Sequence, residues 1–264
     1  MVDERIGLMT NWGDGPGAKM QADRRTWMIN ANFVNQWARV YELRARTAFP
    51  TIGDTYDQLL PKGVRHTSLS GWDVEFSLIN GLAGRASFGR DEFLEVCYWK
   101  SSRSIVTASK NTSRQIHSAT ARAFALLPSD PQGGARALLA LDGVGVPVAS
   151  ALLAIARPAE ATVLDIRALQ TLYWNGELMS PDPVWAAILN ARPPVPSKPT
   201  KMAMRVYRRD VDQWWNRVRT YWYIYYDEYV WISAAIVGRL GGAPLTLREL
   251  DRALWAAGGA TEAP

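Results

Sequence analysis

The stretch that most constrains the fold runs from Asp130 to Trp174, DPQGGARALLALDGVGVPVASALLAIARPAEATVLDIRALQTLYW. Asp130-Pro131 starts a helix, with a capping carboxylate followed by proline at the first helical position. The apolar run Ala137 to Leu141 stops at Asp142-Gly143-Val144-Gly145. Two glycines there let the backbone turn sharply and present successive N–H groups. A second helix begins at Val146-Pro147 and places Val148, Leu152 and Ile155 on one face, until Pro158 ends it. The spacing predicts helix, Gly-x-Gly hairpin, helix. Outward N–H groups at the positive end of the second helix suit an anion such as a DNA phosphate. That contact positions DNA without reading a base.

These residues carry a family resemblance. Leu141-Asp142-Gly143-Val144-Gly145 followed by Ala149 is similar to the helix-hairpin-helix of the HhH-GPD DNA glycosylases, whose pattern is L-P-G-V-G-x-x-x-A. Asp142 stands where that family has proline. Val163-Leu164-Asp165-Ile166-Arg167 matches the family's next element, an aspartate opening a helix, 20 residues beyond Gly145. The resemblance covers 130–174 and implies an all-α chain of two helical lobes, with the substrate base held between them. It implies double-stranded DNA as partner, with Gly143, Val144, Gly145, Val146 and Arg167 on its backbone. Asp165 takes the place of the catalytic aspartate.

The chemistry explains why a carboxylate is needed. Cleaving a base from deoxyribose develops positive charge at the anomeric carbon, which a nearby carboxylate stabilises while orienting water. The plainer role of Asp165 is to cap its helix, and the two roles are compatible. Arg167 replaces the histidine of many relatives. It is read as a phosphate or base contact, or else as a salt bridge between lobes. Pro147 stands where bifunctional relatives carry a lysine that forms a Schiff base. The chain therefore reads as monofunctional, leaving an abasic site. Lys100 has no motif to support it as a substitute nucleophile. The resemblance also implies a monovalent cation on the carbonyls of Leu139, Leu141 and Val144, and requires no other cofactor.

Composition narrows the alternatives. The 264 residues are 48% apolar, with a formal charge of +5 and a pI near 9.4, compatible with a nucleic-acid partner. Cys97 is the single cysteine, so the four-cysteine cluster of some relatives has no ligands here. Two histidines, His66 and His117, leave little for a metal hydrolase. Met1 to Arg5 lacks the pattern of a secretory signal, and the most apolar window, Ala137 to Ala156, is broken by Asp142, two glycines and Pro147. The expectation is a cytoplasmic monomer with no membrane segment.

The rest of the chain reads as helices in one domain spanning 1–264. Residues 1–22 are expected as a loose arm, Arg25 to Phe49 as an amphipathic helix stopped by Pro50, and 51–70 as a loop with a short helix near Asp57 to Leu60. Gly71 to Ala86 and Asp91 to Trp99 read as helices. So does a helix capped by Asn111 and reaching Leu126. Lys100, Arg103, Lys110 and Arg114 form a basic cluster that suits DNA phosphates or, equally, a solvated helix edge. Tyr98, Trp99 and the aromatic run after Trp214 are candidates for the base pocket by composition. Asp182 caps a helix to Arg192, four prolines within 193–199 stiffen a loop, and Tyr207 to Leu240 is one or two aromatic helices. Trp214, Val218, Trp222, Tyr225 and Tyr229 trace its inner face. Thr246 to Glu249 is a capping box opening a last helix to Ala257. No segment alternates with period two.

The sequence thus supports a monofunctional DNA glycosylase acting on a damaged or modified base, in base-excision repair or in defence against phage DNA. A non-catalytic helix-hairpin-helix DNA-binding protein is the alternative. A third reading makes the hairpin an ordinary helix–helix turn. The excised base is left open among oxidised guanine, alkylated purines, mismatched bases and hypermodified phage bases.

Overall fold

The computed structural model describes residues 29–47, 71–178, 182–240 and 245–258. The expected arm at 1–22, residues 25–28 and 48–49 of the first expected helix, Pro50 and the loop at 51–70 lie outside them; Ile29 and Asn30 are not helical, so that helix does not run unbroken from Arg25. The described residues form twelve α-helices and one 3₁₀ turn, with no strand, so the class is all-α.

Helix α1 (Ala31–Thr47) is capped by Asn30, whose Oδ1 accepts the Phe33 N–H at 2.9 Å, and it buries Phe33, Val34, Trp37 and Tyr41. Helix α2 (Gly71–Leu82) is shorter than its sequence suggests. The chain leaves the helix at Leu82, and Gly84, at φ +82°, donates its N–H to the Ala156 carbonyl at 2.9 Å. The positive φ that glycine allows turns the chain into a tertiary hydrogen bond instead of another helical turn. Helix α3 (Arg90–Lys100) buries Phe93, Leu94, Val96 and Cys97 and runs into a 3₁₀ turn at Ser102–Ser104 and the short α4 (Ile105–Ala108). Helix α5 (Ser113–Leu126) is capped by Thr112 with Gln115 in a capping box, not by Asn111.

Helices α6 (Pro131–Leu138) and α7 (Val146–Ala156) enclose the Gly-x-Gly turn. Asp130 caps α6 by accepting the Gly133 N–H at 2.7 Å. The one apolar face expected of α7 is a correction: every residue from Val148 to Ala156 is buried, so α7 is the central core helix. Helix α8 (Ile166–Trp174) follows an extended strap, and α9 (Pro183–Asn190) is capped by Asp182, which accepts the Val184 N–H at 2.6 Å. The aromatic region is two helices, α10 (Lys201–Ile224) and α11 (Tyr226–Arg239), broken at Tyr225. Trp214, Val218, Trp222 and Tyr229 are buried, as expected of an inner face, and Tyr225 is partly buried. Helix α10 starts six residues before the expected Tyr207, with Thr200 accepting the Ala203 N–H at 3.2 Å. Helix α12 (Leu247–Gly258) opens on the expected Thr246–Glu249 capping box.

Helix α12 packs on α1 and on α8. Arg44 donates to the Ala256 carbonyl at 3.0 Å, and the Thr171 hydroxyl donates to the Leu254 carbonyl at 2.8 Å. A buried charge network reinforces the junction. Glu75 accepts from Arg248 (2.7 Å), Arg252 (2.7 Å) and the Tyr41 hydroxyl (2.7 Å), and Arg248 also pairs with Asp251. Burial alone would push the Glu75 carboxyl up, but the two guanidinium groups and the phenol reverse that and hold it at about 2. No helix among the described residues is long and apolar enough to cross a membrane.

Candidate active site around Asp165

The backbone before Asp165 is fixed from two sides. Ala161 to Leu164 is an extended, buried strap. The Leu164 N–H donates to Ser150 Oγ at 2.9 Å, and that hydroxyl donates to the Pro147 carbonyl at 3.1 Å. The Tyr226 hydroxyl donates to the Thr162 carbonyl at 2.7 Å, and the Tyr229 hydroxyl to the Val163 carbonyl at 3.4 Å. Helices α7 and α11 therefore set where α8 begins. Asp165 caps α8, its Oδ1 accepting the Arg167 N–H at 3.0 Å. Its other oxygen, Oδ2, accepts from Lys100 Nζ at 2.7 Å, from the last residue of α3. The side chains of Lys100 and Asp165 are 13% and 19% exposed, so the pair is largely desolvated but still open to a small group.

Burial alone would push the Asp165 carboxyl up. The Lys100 charge and hydrogen bond, the Arg167 N–H and the Arg167 charge outweigh it and hold the group below its ordinary value. The carboxylate is thus ionised at neutral pH in a site with little water. Tyr223 is partly buried within reach of that charge. Its phenol is pushed up to about 12, chiefly by burial and further by Asp165, against the opposing pull of Arg219. The Arg219 guanidinium lies 5.7 Å from the Tyr223 ring centroid. Among the described residues no group of three or more His, Cys, Asp or Glu could hold a metal ion. Cys97 is buried in the core with its thiol pushed up by burial, which suppresses the nucleophilic thiolate.

The hairpin is held from behind. Gly143 has φ +75°, and a Cβ there would lie 2.6 Å from Ala108 N and 2.9 Å from Ser104 O. Buried Asn111 accepts the Asp142 N–H at 2.9 Å and donates to the Asp142 carbonyl at 2.9 Å, pairing with that backbone on both sides. This replaces its expected role as a cap. Gly143 is therefore packed against α4 and is only partly exposed, and among the described residues no backbone acceptor takes its N–H. Val144 and Val146 are buried and Gly145 is exposed. A Cβ at Gly145 would meet only the Pro147 ring, at 3.8 Å. Among the described residues no acceptor takes the Gly145 N–H. The Leu141 carbonyl accepts the Val144 N–H at 3.2 Å, while those of Leu139 and Val144 accept no bond among the described residues.

The basic cluster is divided. Lys100 turns to Asp165, whereas Arg103, Lys110 and Arg114 are exposed on the segments that back the hairpin. Arg167 stacks on Trp255, with its guanidinium carbon 4.4 Å from the ring centroid, a cation–π contact that neither sequence reading of this residue contained. Of the base-pocket candidates, Tyr98 is buried in the core, and Trp99 carries the Arg248 guanidinium over its ring at 5.3 Å. The sequence did not single out Asn111 as the hairpin staple, and it offered Tyr223, which the Asp165 charge reaches, only as one of the aromatic run after Trp214. Both act across long sequence separations and leave no local pattern. No model of a known protein family matches the chain, and neither does any curated protein or solved structure.

Proposed function

We propose that this protein is a DNA glycosylase of the HhH-GPD type that hydrolyses the N-glycosidic bond of a damaged or modified base. The observation that carries the reading is Asp165. It is a partly exposed carboxylate kept ionised against burial by Lys100, on a pinned helix start 20 residues beyond the exposed Gly145. Gly145, with Arg103, Lys110 and Arg114 nearby, would hold the phosphate backbone. Asp165 would face the sugar of the extruded nucleotide. As the bond to the base breaks, its electron pair leaves with the base, which takes up a proton. The positive charge on the anomeric carbon is met by the carboxylate. Water adds there and gives a proton to Asp165, so the product is free base and an abasic site.

The Lys100–Asp165 contact favours a second reading. If Asp165 first takes a proton from the Lys100 ammonium, the freed amine can attack the anomeric carbon as the base departs, giving a Schiff base and then strand cleavage. Lys100 would then replace the amine that Pro147 lacks. In this structure Lys100 Nζ donates to the carboxylate, and the hydrolytic reading stands first.

The test is base release from a panel of DNAs carrying oxidised, alkylated, mismatched and hypermodified bases. Asp165→Asn keeps the cap and removes the charge. It should fold, bind DNA and release base about 10²–10³ times more slowly, a loss of ~2.7–4 kcal/mol in transition-state stabilisation. The wild-type product should be an unbroken abasic strand that borohydride does not trap. A trapped adduct lost in Lys100→Arg would establish the second reading. Undiminished activity in Asp165→Asn would return that residue to a helix cap and remove the proposal's support.

A further inference from the structure

Helix α10 spends half its length without a buried residue. Its first buried side chain is Trp214, thirteen residues after Lys201. Ala203, Met204, Tyr207 and Val211 continue the inner face only as partly buried positions. The outer face has its own pattern. At about 100° per residue, Lys201, Arg205, Arg208 and Arg219 fall within about 60° of one another, on the side away from Trp214 and Val218. Lys201, Arg205 and Arg208 are exposed, and Arg219 is partly exposed. One acid, Asp212, lies in the same stripe. Arg209 flanks it and pairs with Asp210 at 3.1 Å. The stripe spans roughly 27 Å at 1.5 Å per residue.

Its position gives it a use. The Arg219 end adjoins Tyr223, which feels the Asp165 charge, and the Lys201 end lies far out along the helix. A cationic rail leading away from a carboxylate site matches a polyanion whose one nucleotide occupies that site. We propose that the outer face of α10 tracks the phosphate backbone of double-stranded DNA flanking the target nucleotide. This rests on the glycosylase reading and extends its DNA-binding surface beyond the hairpin. The contact is independent of sequence and lengthens the footprint. A basic helix can also lie on an anionic membrane, for which an apolar face must be free to insert. Here Met202 and Val206 are the exposed large apolar side chains on this half of the helix, while Ala203, Met204, Tyr207 and Val211 are already partly buried on its inner face, and that favours DNA.

The test uses the full chain and a 30-base-pair duplex, with binding measured across a range of salt. In Lys201→Gln/Arg205→Gln/Arg208→Gln, three phosphate contacts are removed. The slope of log K against log salt should become shallower by about 2.7, and affinity at 0.15 M salt should fall on the order of a hundredfold. Arg217→Gln, about 160° round the same helix, should leave both unchanged, and Asp212→Asn should tighten binding. Circular dichroism checks that the helices persist. If the wild type binds DNA and the triple variant has the same slope, the rail is wrong and the glycosylase reading survives. If the slope falls but no DNA in the panel releases base, the rail stands and the glycosylase reading fails. Binding of the wild type to phosphatidylserine vesicles but not DNA, lost in the triple variant, would overturn the proposal in favour of a membrane surface.

Discussion

Lys100 decides how Asp165 behaves. Desolvation works against the charged carboxylate, and the lysine is its largest counterweight. Lys100→Met leaves that desolvation without its main opponent, so the Asp165 carboxyl should rise. The acid limb of the base-release profile should then move to higher pH, while Lys100→Arg leaves it low. An unmoved limb in the methionine variant would show that Lys100 does not govern the charge of Asp165. The sign follows from the group: a carboxylate must be ionised to act, and a higher value shuts it off earlier as pH falls. Asp165 itself was legible in the sequence because a cap and its spacing from the hairpin are local features. Its partner was not. Lys100 is 65 residues away, and nothing in Tyr98-Trp99-Lys100-Ser101 shows which way the amine points. Asn111 was legible only as a helix cap, and its pairing with Asp142 depends on a turn 31 residues later.

At the scale of the element, the two hairpin glycines separate into distinct tasks. Gly143→Ala places a Cβ against the backbone of α4 at a positive φ, and should cost about 1–3 kcal/mol of stability. Gly145 has an ordinary extended φ of −92° and open space before it, so Gly145→Val should fold with little loss. The valine would stand where a phosphate must approach, and binding to all duplexes should weaken alike. Chemical denaturation and DNA retention measured on both variants check this. Equal retention in wild type and Gly145→Val would remove the hairpin from the DNA surface. Helix starts were readable because capping side chains are sequence-local, as at Asp130, Asp182 and Thr246. Helix extents were not always readable. The end of α2 is set by the contact between Gly84 and Ala156, and the start of α10 extends beyond the aromatic face that marks its buried part. Burial of α7 on every side was hidden for a related reason: small residues such as Ala149, Ala151 and Ala154 carry a weak periodic signal.

Across the whole molecule, the Glu75 network joins α1, α2 and α12 and should govern acid stability. The carboxyl is held at about 2 in the fold against an ordinary 4.5. Its stabilisation, roughly 3 kcal/mol, is present above pH 4.5 and is lost as pH falls from there towards 2. Glu75→Gln removes the charge, so urea midpoints should drop at pH 7 and depend less on pH below 4.5 than the wild type. Parallel midpoint curves would place the acid sensitivity elsewhere. The same junction orders events during synthesis. Asp165 leaves the ribosome long before α12, yet α12 covers α8: the Thr171 hydroxyl bonds to Leu254, Arg167 lies on Trp255, and Gly258 packs so tightly that a Cβ would sit 2.2 Å from the Arg167 carbonyl oxygen. A nascent chain therefore carries its carboxylate for some eighty residues before the helix that covers α8 exists. The cover of α8 would be assembled last, from the two ends of the described chain at once, and a ribosome stalled before Leu247 would release a product with α8 and its Asp165 cap uncovered.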